Sequence, residues 1–311
     1  MYRIKTMVVV AFLLSPLIHY AQHTDVINSN RPGETMSAFS VGKSVIQVES
    51  GIYGIKENHS ILNYDANGYG IDMTLRYGFL QEKLELIADF QYQYEQVTSP
   101  LKSINKSAMK QTIIGLKYLI YDPFKNYEKK INVYSWKANH SFNWHQFIPA
   151  VSVFAGANIT LANNPYYFSS NAAISPKIML ITQNHLGDGS WVFVTNIIGD
   201  YIGTDYPSYG YGLTLTKGFN EKWSGFIENQ GYKSDFYSDA IVRGGAAYLI
   251  NKDMQIDASI SSSLKTTPSI FYGGIGFSWR YDANYQEVRV KIDTGDSTKK
   301  AKRRAKKAKK G

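Results

Sequence analysis

The sequence predicts an all-β chain closed into a transmembrane antiparallel up-and-down β-barrel of about 12 strands. Three observations carry this expectation: a hydrophobic period of two along most of the chain, an excess of tyrosine, and an export-type leader. There are 24 Tyr against 15 Phe and 5 Trp. A buried tyrosine hydroxyl needs a hydrogen-bond partner, so such an excess suits rings lying where hydrocarbon meets water. The mean hydropathy of −0.28 is too polar for a helical membrane protein. A barrel hides its apolar character in every second residue, so its average looks soluble.

The leader comes first. Arg3 and Lys5 precede an apolar run over 7–18, followed by His19-Tyr20-Ala21-Gln22. A basic start, a short apolar stretch and a small residue before the cut describe a signal peptide over 1–21. The run falls short of the ~20 residues of a spanning helix. The remaining chain divides into an N-terminal periplasmic segment (22–42), an outer-membrane barrel (43–282) and a disordered linker with a basic tail (283–311).

The barrel strands show themselves by alternation. Over 83–94, Leu84, Leu86, Ala88, Phe90, Tyr92 and Tyr94 point one way. Glu85, Asp89, Gln91 and Gln93 point the other, with Ile87 the apolar exception. A helix would scatter both sets around its axis, whereas a strand separates them onto two faces. In the same way Met254, Ile256, Ala258 and Ile260 oppose Gln255, Asp257, Ser259 and Ser261. Phe271, Ile275, Phe277, Trp279 and Tyr281 oppose Tyr272, Ser278 and Arg280. The predicted strands are 43–55, 69–78, 83–96, 109–121, 146–160, 171–185, 190–200, 207–218, 222–232, 239–250, 253–265 and 269–282. A soluble β-sandwich would pack its apolar faces together. Aromatics near strand ends, such as Trp191, Trp223 and Trp279, fit a membrane girdle instead.

The connections alternate in length. Those at 78–83, 186–190, 218–222 and 250–253 are tight and polar; those at 56–68, 98–108, 162–170 and 231–238 are mostly longer. Short turns on the periplasmic side and longer loops outside are the expected barrel arrangement. The connection 122–145 breaks this rule, being long on the periplasmic side. It reads either as a missed strand or as an excursion packing beneath the barrel or against a partner.

Asn30-Arg31-Pro32-Gly33-Glu34-Thr35-Met36-Ser37, then Val41-Gly42-Lys43 and Gln47-Val48-Glu49-Ser50-Gly51, resemble the opening of a Bacteroidota outer-membrane family. That family is transporter-like and related to the meta-pathway of phenol degradation proteins. Its usual opening has Asp where this chain has Asn30, and a Pro that this turn lacks. The resemblance continues through Ile148-Pro149-Ala150-Val151 and Gly276-Phe277-Ser278-Trp279-Arg280. It implies an outer-membrane channel or transporter for small solutes of aromatic or apolar kind, and supplies no catalytic residue.

With apolar sets facing lipid, the candidates for the lumen wall are Glu49, Asp72, Arg76, Glu85, Asp89, Glu228, Arg243, Asp257 and Arg280. They read either as a charged solute path or as an interior salt-bridge network plugging a narrow barrel, because an isolated buried ion is too costly. No enzyme, metal or cofactor is expected. Asn58-His59-Ser60 and Asn139-His140-Ser141 hold hydrolase letters, but neighbouring residues on an extended chain face apart. His140 and His145 lack a completing carboxylate. Gly68-Tyr69-Gly70 and Gly210-Tyr211-Gly212 open no helix, unlike phosphate loops. The absence of Cys excludes disulfides and thiolate sites.

The net charge of +9 belongs to the tail, where Lys299, Lys300, Lys302, Arg303, Arg304, Lys306, Lys307, Lys309 and Lys310 cluster. Without those nine, the Lys+Arg total of 34 falls to 25, equal to the acidic total of 25. Behind a leader, such an arm meets anionic lipid headgroups or a periplasmic protein rather than nucleic acid. A solubilising charge run is the plainer alternative. Outer-membrane lipid is the partner expected of the barrel itself.

Overall fold

The computed structural model describes residues 26–282, except 126, 128–133, 136–143, 162, 168–172, 188 and 236–237. The leader at 1–21 and the linker and basic tail at 283–311 lie outside the described residues. The strands are β1 (Val45–His59), β2 (Tyr64–Gly78), β3 (Leu84–Thr98), β4 (Ser103–Tyr121), β5 (Ala150–Ile159) and β6 (Ile174–Leu186). They continue as β7 (Trp191–Asp200), β8 (Ser208–Gly218), β9 (Trp223–Ser234), β10 (Ser238–Asn251), β11 (Met254–Ser263) and β12 (Ser269–Asp282). Each pairs with its sequence neighbour, and β12 closes on β1. The pairing is antiparallel throughout, from Val45 opposite Asp282 to Asn58 opposite Ser269 at the closing seam.

Alternation places the side chains as read from the sequence. In β3, Leu86 and Tyr92 are exposed on the outer wall while Glu85, Ile87 and Gln93 are buried within. In β12, Phe271, Ile275, Phe277, Trp279 and Tyr281 are exposed and Ser278 and Arg280 buried. A closed sheet satisfies its backbone internally, and an outer wall of exposed Ile, Leu, Tyr and Trp is stable against hydrocarbon rather than water. This is a membrane-spanning barrel of the outer-membrane type. Aromatic pairs mark the rims, Tyr69 on Tyr94 at one end and Trp279 with Tyr281 at the other.

Two expected loops are strand instead. The connections at 56–68 and 98–108 shrink to 60–63 and 99–102, because the ladders run on. Above the lipid both faces meet water, so hydrophobic alternation fades while backbone pairing persists. Asn58 donates to Asp65 at 2.7 Å and Tyr64 to Glu57 at 2.5 Å across the β1–β2 tip. At ~3.3 Å per residue, β4 with its 19 residues overtops the ~25 Å apolar band.

The segment 122–145 adds no strand to the barrel wall, and most of it lies outside the described residues. β4 pairs directly with β5, from Ile113 opposite Asn158 to Tyr121 opposite Val151, leaving no space for another barrel strand. Phe124 packs on Phe39 and on His185, and Tyr127 stacks on His145 with ring centroids 3.6 Å apart. A 3-10 turn, Trp144–Phe147, leads into β5.

The largest difference from the sequence reading concerns 22–42, expected as an N-terminal periplasmic segment. Its described part, from residue 26, is folded inside. Ile27 donates its amide to the Lys252 carbonyl at the β10–β11 turn. The chain rises to an elbow at 31–33 and returns to β1. Along this path it meets Glu49 of β1, Asp72 of β2, Glu85 of β3, Lys117 of β4, Ser152 of β5 and Gln183 of β6. It also meets Asn196 of β7, Thr214 of β8, Glu228 of β9, Arg243 of β10, Asp257 of β11 and Ser278 of β12. All twelve strands contribute a partner, which a segment outside the ring could not arrange. Its apolar residues Met36, Ala38 and Phe39 join an inward cluster of Ile87, Ile113, Leu119, Phe154, Met179 and Ile181.

Candidate solute path through the lumen

The plug is held by charge pairs at two levels. At the waist, Arg76 donates to Glu85 at 2.5 Å and Glu49 at 3.0 Å, and all three side chains are essentially fully buried. Lys117 joins at 3.2 Å from Glu85 and also donates to the carbonyls of Ser37 and Phe39, each at 3.0 Å. Two cations and two carboxylates thus balance, and most of their remaining donors and acceptors bind the plug, with Gln47 of the wall donating to Glu49 as well. Glu49 accepts from the Asn30 amide at 3.0 Å, and Glu85 from the Val41 amide at 3.1 Å.

Higher up, Arg31 of the plug sits between Asp72 and Asp257. Gly51 and Gly276 face each other across the β1–β12 seam and give its guanidinium a berth. A Cβ at either position would overlap Arg31. Across the lumen, Glu228 accepts from the Glu34 and Thr35 amides at 3.0 and 3.1 Å. Arg243 bridges Glu228 at 2.5 Å and Glu34 at 3.5 Å. Asp89 accepts from Thr74 and Gln111, and Arg280 pairs with Asp253 at 3.0 Å near the turn end. All nine predicted wall residues therefore lie on inward positions. Of these, Glu49, Asp72, Arg76, Glu85, Glu228, Arg243 and Asp257 contact the plug.

The elbow 31–33 separates two cavities and lines both. The lower one, about 500 Å³, lies between plug and wall and includes Phe39, Phe124, Val192, Val194 and Phe226. The upper vestibule, about 520 Å³, is lined by tyrosines, among them Tyr53, Tyr166, Tyr167, Tyr201 and Tyr272, with Lys110, Lys177 and Asp200. Residues 163–167, after β5, pack over this vestibule: Tyr167 donates to the Lys110 carbonyl at 2.6 Å and Asn164 to that of Met109 at 2.6 Å. Burial pushes the Tyr166 and Tyr167 phenols up, so both remain neutral donors.

Sequence reading missed Arg31 as a site residue, and with it Lys110, Lys117, Tyr53 and Tyr272. Two signals were present: inward apolar residues such as Ile87 and Phe154 have nothing to pack on in an empty lumen, and paired inward glycines leave room for a guest. Of the hydrolase letters, His59 and Ser60 are each bonded to other groups among the described residues. His59 Nδ1 accepts from the Leu62 amide, and the Ser60 hydroxyl lies 2.5 Å from that of Thr267. Residues 139–141 lie outside the described residues. Among the described residues, no group of three or more His, Cys, Asp or Glu is placed to hold a metal ion.

The model of the family described as "Putative MetA-pathway of phenol degradation" matches residues 29–281. The chain belongs to that family. The match begins in the plug and ends in β12, so it spans both the plug and the wall of this chain. No curated protein is detectably similar to the chain. Among solved structures, an outer membrane channel from Pseudomonas putida F1 is similar with a TM-score of 0.52 at 11% identity, covering 80% of this chain and 100% of that one. The KdgM porin follows with a TM-score of 0.43 at 10% identity, covering 75% of this chain and 99% of that one. The CymD monoaromatic hydrocarbon channel has a TM-score of 0.42 at 10% identity, covering 78% and 90%. The first of these likenesses shows the fold shared by this family member.

Proposed function

We propose that the protein is an outer-membrane channel for small solutes, aromatic ones included, whose N-terminal segment gates the lumen. The observation that carries this reading is the pair of cavities on either side of the 31–33 elbow within one closed barrel. A barrel built only as a scaffold has no need of a tyrosine-lined vestibule open above a polar partition. Tyrosine rings offer apolar faces with polar edges, which suits single-ring solutes in transit. The partition is polar and held by hydrogen bonds, so displacement of one short segment joins the two cavities.

Planar-bilayer recording tests this. Full-length mature protein is expected to show low or flickering conductance, and a variant lacking 26–41 a large steady one. A tight seal from both proteins contradicts the channel reading and leaves a structural barrel that binds envelope partners.

A further inference from the structure

Lys110 stands out among the lumen cations. Arg31, Arg76, Lys117, Lys177, Arg243 and Arg280 each have a carboxylate oxygen within 3.5 Å. Lys106, at the rim, has Glu95 at 3.7 Å. Among the described residues, Lys110 forms no ion pair. Its Nζ donates to Gln93 Oε1 at 3.0 Å and lies 5.5 Å from the centroid of the Tyr272 ring. The carboxylate of Glu95 reaches it only through Gln93, whose Nε2 donates to Glu95 Oε2 at 2.9 Å. An ammonium group carries three donors, so two N–H bonds remain for a guest.

A β-bulge brings it there. Gln91 pairs with Gln111 and Tyr92 with Met109, so Lys110 is the extra residue between them. Lys110 and Gln111 both turn inward, and Lys110 lines the vestibule. Bulges re-aim side chains in this way. Around the ammonium stand Tyr53, whose hydroxyl donates to the same Gln93 oxygen at 3.0 Å, and Tyr272, edge-on to Tyr53 at 6.1 Å. A cation partly withdrawn from water without a counter-ion is costly, and a bound anion removes that cost. Two aromatic faces beside it favour a flat ring.

We propose that this cluster is a binding site for small aromatic anions, an aryl carboxylate being the simplest. The carboxylate accepts from Lys110, and the ring lies against Tyr53 and Tyr272. This deepens the channel reading by naming a solute class for its vestibule, although binding is measurable whether or not the solute crosses.

Calorimetric titration of the purified protein in micelles with benzoate, benzyl alcohol and cyclohexanecarboxylate tests it. Benzoate is expected to bind about tenfold or more tightly than neutral benzyl alcohol, as charge-assisted bonds require. Lys110→Met abolishes that preference, and Tyr272→Leu abolishes the preference of benzoate over cyclohexanecarboxylate. Heat-modifiable migration on gels confirms that each variant is folded. Equal binding of benzoate and benzyl alcohol to the native protein overturns the proposal, as does a preference that survives in folded Lys110→Met. A sealed bilayer with benzoate binding intact sinks the channel reading alone, whereas conductance without benzoate preference sinks this site alone.

Discussion

Lys117 and Lys110 lie on the same strand, both facing the lumen, yet they meet opposite surroundings. At the waist, Lys117 spends all three donors on Glu85 and two plug carbonyls. In the vestibule, Lys110 spends one, on a neutral amide. The waist is closed electrostatically: each charge is matched, and most of what remains binds the plug. The vestibule is left incomplete on its polar side. The contrast separates anchoring from reception, since a network that satisfies itself holds structure and one that does not waits for a ligand.

Three substitutions sharpen this contrast. The largest effect is expected from Arg76→Met, which leaves Glu49 and Glu85 buried with Lys117 alone. A loss of about 3–5 kcal/mol is expected in urea unfolding from lipid vesicles, the usual result of removing one partner from a buried charge network. A loss below ~1 kcal/mol would show the waist to be wet rather than closed. Next comes Gly51→Val, which fills the berth of Arg31. Crowding of this kind costs about 1–3 kcal/mol, and the evicted guanidinium frees the elbow, so conductance rises as well. Unchanged conductance would mean that the elbow does not control passage. The smallest stability effect belongs to Lys110→Met, expected within about 1 kcal/mol of the native protein because no buried carboxylate is orphaned. A loss as large as that of Arg76→Met would place Lys110 in the structural network.

The wall of this barrel was legible because its physics is local. Glu85, Ile87 and Asp89 alternate with Leu86 and Ala88 whatever lies across the sheet, and twelve such segments were each read at nearly their true position. Strand ends were less legible. Residues 56–59 and 64–68 carry Asn, Asp, Glu and Gly, which above the membrane suit a paired strand as well as a loop. The plug was illegible for a different reason. Residues 28–37 have no period, and their structure is dictated by partners as distant in sequence as Glu228 and Asp257. Lys110 was hidden by a bulge, since strict alternation sends either Lys110 or Gln111 outward, but not both inward.

The most direct test is a pair of cysteines at Thr35→Cys and Thr214→Cys, in a chain that has none of its own. The native hydroxyls lie 2.6 Å apart, one on the plug and one on the inner wall of β8. Mild oxidation of the membrane-embedded protein is expected to join them in high yield, to shift its non-reduced mobility, and to suppress conductance until reductant is added. If the pair stays free while a control pair across the β1–β12 seam crosslinks, residues 26–42 do not occupy the lumen, and the gated-barrel account fails.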